Sequence, residues 1–250
     1  MRIVKSTCLV IMLTILAACS SSTNDITSAT KINNAFKLFE KAQYSMYSGN
    51  YRSAIEYLER LDSLYPFGAY SHQAQLNLIY SYYQLSDYGT GIAAAERFIR
   101  QNPRHKDLDY AYYMKGLINF STETGFGKEL FSAPLSERDA GAARQSFDDF
   151  AELLRLYPNS KYAKDSQQRM IYLRNRLADY ELHVANYYLQ RTAYLAAANR
   201  ARYVVDHYPK TPAVPKALEM MIVAYDLLEL NDLAENSRRV LMLNYPDHKI

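Results

Sequence analysis

Gly49-Asn50-Tyr51-Arg52-Ser53-Ala54-Ile55, with Pro66 fifteen residues beyond Tyr51, is the stretch whose reading decides the fold. Tyr51, Ala54, Ile55, Leu58, Leu61 and Tyr65 recur at i, i+3, i+4, i+7, i+10 and i+14, which is one apolar face of a helix. Pro66 ends that helix because it lacks an amide hydrogen and clashes with the preceding turn. The ending Leu61-Asp62-Ser63-Leu64-Tyr65-Pro66 returns four times, as Phe98-Ile99-Arg100-Gln101-Asn102-Pro103, Leu153-Leu154-Arg155-Leu156-Tyr157-Pro158, Val204-Val205-Asp206-His207-Tyr208-Pro209 and Met242-Leu243-Asn244-Tyr245-Pro246. Successive prolines lie 37, 55, 51 and 37 residues apart.

Interior positions repeat as well. Tyr88 and Tyr194 each precede a proline by fifteen, with Gly91-Ile92 and Ala197-Ala198 where Ala54-Ile55 stands in the first copy. In the third copy Ala143 takes the aromatic place and Ser146-Phe147 the small-then-aliphatic one; the last reads as two residues short, from Leu233 to Pro246. A small residue lets paired helices approach and an aromatic fills the groove beside it. This pattern resembles the tetratricopeptide repeat, of period about 34 residues. No segment alternates as a strand does, so the fold expected is an all-α solenoid of five helix pairs. Two spacings exceed the period. The segment 123–135, with Gly125, Gly127 and Pro134, reads as an irregular insertion, after which Ser136 would cap the next helix with Asp139 three residues on. Ser160 to Gln190 contains no breaker and reads as one helix of about 30 residues, roughly 45 Å. It would join repeats one to three, at 32–158, to repeats four and five, at 159–250. Thr211-Pro212 reads as a cap and first helical position.

The N-terminus carries a separate message. Arg2 and Lys5 precede an apolar run from Cys8 to Ala18, about 16 Å as a helix and half a hydrocarbon core, so residues 1–18 read as a signal peptide. Leu16-Ala17-Ala18-Cys19 resembles a bacterial lipobox, which implies a lipidated Cys19 at the mature N-terminus. The resemblance gives Ser20, in place of aspartate, the meaning of transport to the outer membrane. Residues 19–31 read as the lipidated end and a flexible polar tether.

Composition excludes most chemistry. The chain of 250 residues is 49% apolar and 22% charged, with 8 Gly, 8 Pro and 24 Tyr, which is neither disordered nor collagenous. Its net charge of +3 includes Arg2 and Lys5, so the mature chain is near neutral and nucleic acid is not an expected partner. Loss of Cys8 with the signal and lipidation of Cys19 leave no thiol for a disulfide, metal or nucleophile. His72, His105, His183, His207 and His248 show no ligand spacing, and no nucleophile elbow, phosphate loop or dinucleotide fingerprint exists. Neither a metal, a cofactor nor an enzymatic activity is expected. Tyrosine is the compositional anomaly. The doublets Tyr82-Tyr83, Tyr112-Tyr113 and Tyr187-Tyr188 place one ring of each away from the core, where it either fills grooves or contacts a peptide.

Longer blocks narrow the class. Tyr65-Pro66-Phe67-Gly68-Ala69-Tyr70-Ser71 and Gln75-Leu76-Asn77-Leu78-Ile79-Tyr80-Ser81-Tyr82-Tyr83 closely resemble the BamD family, lipoproteins of the β-barrel assembly machinery. The likeness continues through Arg97-Phe98-Ile99-Arg100, Tyr157-Pro158-Asn159-Ser160, Arg176-Leu177-Ala178 and Tyr180-Glu181, and covers the mature chain. It departs at Leu130-Phe131-Ser132-Ala133-Pro134 and near the C-terminus. The resemblance implies a periplasmic, lipid-anchored scaffold of the outer membrane. Repeats one to three would take the C-terminal targeting strand of unfolded outer-membrane proteins, and the C-terminal repeats would bind the last POTRA domain of BamA. BamC and BamE are further partners it implies. For the peptide, Arg52 would offer a cation near Tyr65, Phe67, Gly68 and Tyr70; Tyr65 and Phe67 as plugs of the inter-repeat bend is the reading left open beside it. For BamA, Arg191, Asn199 and Arg200 match basic positions of the family. A tetratricopeptide lipoprotein piloting a secretin or pilus would share the lipobox and repeats but needs neither Y-P-F-G nor the long helix.

Overall fold

The computed structural model describes residues 23–125 and 135–248. The expected signal peptide, the expected lipidation site Cys19 and most of the expected insertion lie outside them. Among the described residues there are ten α-helices and no strand: α1 (Thr23–Tyr47), α2 (Tyr51–Leu64), α3 (Ser71–Gln84), α4 (Tyr88–Gln101), α5 (Leu108–Thr124), α6 (Gly141–Leu156), α7 (Ala163–Gln190), α8 (Tyr194–His207), α9 (Val214–Leu227) and α10 (Asn231–Asn244). The chain divides after Asp87 into two compact units. In the first, α1 packs on α2 and α2 on α3; in the second, each helix from α4 to α10 packs on the next. The boundary at 158/159 expected from sequence separates repeats one to three from the long helix and the last two repeats, a grouping that this packing does not test.

Repetition is written in the backbone turns. At the end of α1 the Gly49 N–H donates to the Met46 carbonyl (3.0 Å) and the Asn50 N–H to Ser45 (2.8 Å). Ser86 and Asp87, Thr192 and Ala193, and Glu229 and Leu230 make the same two bonds, each pair directly before α4, α8 or α10. The first residue of every pair is left-handed, with φ of 74, 58, 58 and 57°. This Schellman closure satisfies the last carbonyls of one helix while reversing the chain. Only Gly49 adopts the conformation without a Cβ penalty. At the other end, Gly68, His105, Ser160, Thr211 and His248 each donate a backbone N–H to the residue three before, which is Tyr65, Asn102, Tyr157, Tyr208 or Tyr245. The recurring helix ending before proline, tyrosine in four copies and Asn102 in the second, is therefore one hydrogen-bonded turn used five times.

The small positions are points of close helix approach. Ala54, Ser146, Ala197 and Ala234 are fully buried, and Gly91 is buried too. Between α5 and α6 the Ser146 hydroxyl donates to the Gly116 carbonyl at 2.9 Å, and a Cβ at Gly116 would stand 2.7 Å from a carbon of the buried Phe150 ring.

Five local expectations are corrected. α10 is not short: it has fourteen residues like α2, α4 and α8, with Asn231 in the aromatic place and Ala234 in the small one. Ser136 does not cap α6. It lies in a 3-10 turn (Leu135–Glu137), and α6 starts at Gly141, whose N–H donates to the Asp139 carboxylate at 3.0 Å. Glu123 belongs to α5 and not to the insertion, because burial beside Arg176 holds the helix intact to Thr124. Thr211-Pro212 forms the turn before α9, which begins at Val214 with Pro215 in its first turn; the Thr211 hydroxyl donates backward to the Tyr208 carbonyl (2.8 Å). Residues 23–31, expected as tether, are the first turns of α1, since extending a helix nucleated by its packed portion costs little. The long helix is present as α7, 28 residues or about 42 Å, starting at Ala163 after the Tyr157–Ser160 turn.

Candidate functional site

In the first unit the turn after α2 carries the quoted aromatics. Tyr65 closes α2, its N–H donating to Leu61 at 2.8 Å, and is half-buried. Phe67 is 100% exposed at the tip of the turn, a position no core requirement explains. A Cβ on Gly68 would press on the Tyr65 carbonyl at 3.2 Å, so the tight bend accounts for that glycine. Tyr70 stacks on Phe39 of α1 (ring centroids 5.0 Å, 23° apart) and leans on the exposed Phe36 (6.0 Å). Phe36 and Phe39 were not singled out from sequence. They lie i, i+3 on a helix, a spacing that could have marked them, but their contact with Tyr70 comes from tertiary packing.

Arg52 does not belong to this group. It is exposed in the first turn of α2, thirteen residues from Tyr65, which is about 20 Å along the axis and roughly 140° around it. The expectation of a cation beside Tyr65 is therefore corrected: helical geometry sends the two side chains to different sides.

In the second unit the expected arginines fall into two places. Arg191 ends α7 and lies over the Tyr187 ring, 4.6 Å from its centroid. Asn199 and Arg200 are exposed on α8. The Arg200 guanidinium is held by Glu181 of α7 at 3.0 Å, and Glu181 is only 3% exposed. Arg144, at the start of α6, faces the other oxygen of the same carboxylate at 3.8 Å. The hydrogen bond to Glu181 raises the Arg200 pKa above its ordinary value. Tyr208 lies in the same field; burial first, then Tyr203, push its hydroxyl up to about 12. Ten residues of α7, about 15 Å, separate Glu181 from Arg191, so Arg191 and Arg200 are not neighbours.

Two further polar contacts tie the second unit together. Arg176 of α7 donates to Glu123 at 2.6 Å and to the Arg138 carbonyl at 3.0 Å, joining both flanks of the insertion. Tyr113 of α5 donates to Asp165 (2.9 Å), which Arg169 also bonds (2.6 Å). Among the described residues no group of three His, Cys, Asp or Glu side chains could hold a metal, and no helix is long and apolar enough to cross a membrane.

These features define a class: an all-α tetratricopeptide-type scaffold that presents aromatic and arginine surfaces. Comparison with known proteins gives the family. The outer membrane lipoprotein family YfiO matches residues 32–240, and the chain belongs to it. It is 43% identical to the outer membrane protein assembly factor BamD of Vibrio cholerae over 232 residues, 93% of this chain and 95% of that one. It is 40% identical to the BamD of Neisseria gonorrhoeae over 84% of this chain and 79% of that one. A solved tetratricopeptide repeat protein from Parabacteroides merdae aligns over 84% of this chain and 80% of its own, at 13% identity and a TM-score of 0.40. The repeat assignment rests on the turns above and not on that likeness. As a member of this family of assembly factors, the chain is not an enzyme.

Proposed function

We propose that the chain is an outer membrane protein assembly factor, lipid-anchored through Cys19 on the periplasmic face of the outer membrane. It receives the C-terminal strands of unfolded outer-membrane proteins on repeats one to three and docks BamA, through that protein's last POTRA domain, on its C-terminal repeats. BamC and BamE join as accessory partners.

The observation that supports the peptide site is Phe67, wholly exposed between Tyr65 and Tyr70, with Phe36 exposed beside Tyr70. Aromatics held by a rigid turn give amphipathic contact area at little entropic cost, which suits strands whose alternate residues are aromatic. Arg52, 20 Å away on another side of α2, acts separately from this platform. Phe67→Ser tests the site. It should leave thermal unfolding unchanged, since an exposed substitution shifts stability by under about 0.5 kcal/mol. Affinity for a peptide ending in an outer-membrane targeting strand should fall severalfold. Wild-type affinity in the variant would remove the turn from the site.

Arg191, Asn199 and Arg200 form the BamA side of the reading. Arginine beside tyrosine, as in Arg191 on Tyr187, is the composition that concentrates binding energy at protein interfaces.

A further inference from the structure

Glu181 is a buried carboxylate with an arginine on each oxygen. Arg200 contacts Oε2 at 3.0 Å and Arg144 approaches Oε1 at 3.8 Å; their side chains are 47% and 52% exposed. The three residues come from α8, α7 and α6, so only the folded unit brings them together. A guanidinium carries five N–H donors in a planar fork; Glu181 accepts one from Arg200 and pairs with one nitrogen of Arg144, so most of the donors of each fork are left uncommitted to it. The cluster therefore holds two positive charges against one negative. Its outer donors face solvent, while its only carboxylate lies beneath them.

We infer that Arg144 and Arg200 form a two-arginine socket for a carboxylate side chain on the docking partner, with Glu181 as the internal counter-ion that holds the forks together. This rests on the reading that the partner docks at Arg200 and adds Arg144, on a different helix, as a second determinant. Without Glu181 the two cations would repel each other. With it they stand within one carboxylate's width, and an acidic side chain arriving from outside completes an alternating arrangement of charge. Bidentate arginine–carboxylate pairing is directional, so the socket selects orientation as well as charge. The site differs from a surface arginine paired to a neighbour on its own helix, such as Arg202 with Asp206, because its counter-ion is buried and cannot turn to meet the partner.

The test is titration of purified full-length BamA against the full-length lipoprotein in detergent, at low and moderate salt. Arg144→Gln should weaken binding about tenfold at low salt and flatten the salt dependence, while thermal unfolding stays near wild type. Arg144→Lys keeps a charge opposite Glu181 but loses the fork, and should bind between wild type and Arg144→Gln. The Arg144→Gln, Arg200→Gln double variant should lose less than the product of the single losses, because both act on one carboxylate. If Arg144→Gln binds normally and Arg200→Gln does not, the socket is wrong and docking at Arg200 stands. If both bind normally, docking at Arg200 fails as well. Should Arg144→Gln misfold, wild-type binding by Arg144→Lys would overturn the socket. Loss of a substrate peptide's binding, with BamA binding retained, would give the arginines to the substrate's terminal carboxylate and also overturn it.

Discussion

Arg176 and Glu123 meet at 2.6 Å with their side chains 2% and 5% exposed, joining the middle of α7 to the last turn of α5. A second N–H of the same guanidinium reaches the Arg138 carbonyl, so one side chain fixes the entry and the exit of the insertion. Charges buried this far persist only as a pair, since either alone would be desolvated without compensation.

Removing one partner therefore costs more than the pair itself contributes. Arg176→Met should destabilise the chain by about 3–5 kcal/mol, because Glu123 is left buried and unpaired. Arg176→Met with Glu123→Leu should recover much of that loss. Urea unfolding of the two variants checks this; equal stability of single and double variants would mean that the loss comes from packing alone.

Gly116 gives a second prediction, with opposing terms. Alanine in a helix interior is favoured over glycine by about 1 kcal/mol. Here its Cβ would meet the fully buried Phe150 ring at 2.7 Å, and overpacking costs about 1–3 kcal/mol. Gly116→Ala should lower the unfolding midpoint, and Phe150→Leu in the same chain should relieve part of the strain. A midpoint raised by Gly116→Ala would show that α5 and α6 separate without cost.

How far the sequence carried varies by element. Tyrosine-proline endings and small-residue slots were legible because each is a local device, a hydrogen-bonded turn or a close helix contact that needs one residue type. The left-handed Ser86, Thr192 and Glu229 were not legible, since their side chains do not favour that conformation and the packed helix pairs impose it. Boundaries failed where tertiary contact extended or delayed a helix, as at Glu123 and Gly141. At the candidate sites, the full exposure of Phe67 could not be read from sequence, whereas the distance of Arg52 from Tyr65 is a matter of helical rise that the thirteen-residue spacing already contains. Glu181 was quoted only as part of a likeness, and Arg144 was absent from the reading, because a socket built from three helices leaves no mark on any one of them.

Alkaline pH provides a third prediction. Burial, and then the hydrogen bond and charge of Asp165, push the Tyr113 hydroxyl up to about 12; burial does the same for Tyr208. A tyrosine of the unfolded chain ionises near 10. The folded state thus holds these protons more tightly, so their stabilisation is complete below pH about 10 and is lost as pH rises to about 12. Stability should fall across that window, and Tyr113→Phe should make the decline shallower. An unchanged slope in the variant would mean that Tyr113 ionises in the fold as it does in the open chain.

The central claim is a lipid-anchored assembly scaffold bound to BamA, and affinity purification of the chain from detergent-solubilised envelopes tests it most directly. BamA should co-purify in near-stoichiometric amount, and the amount should fall when Arg144 and Arg200 are both replaced by glutamine. A secretin recovered in place of BamA would contradict it.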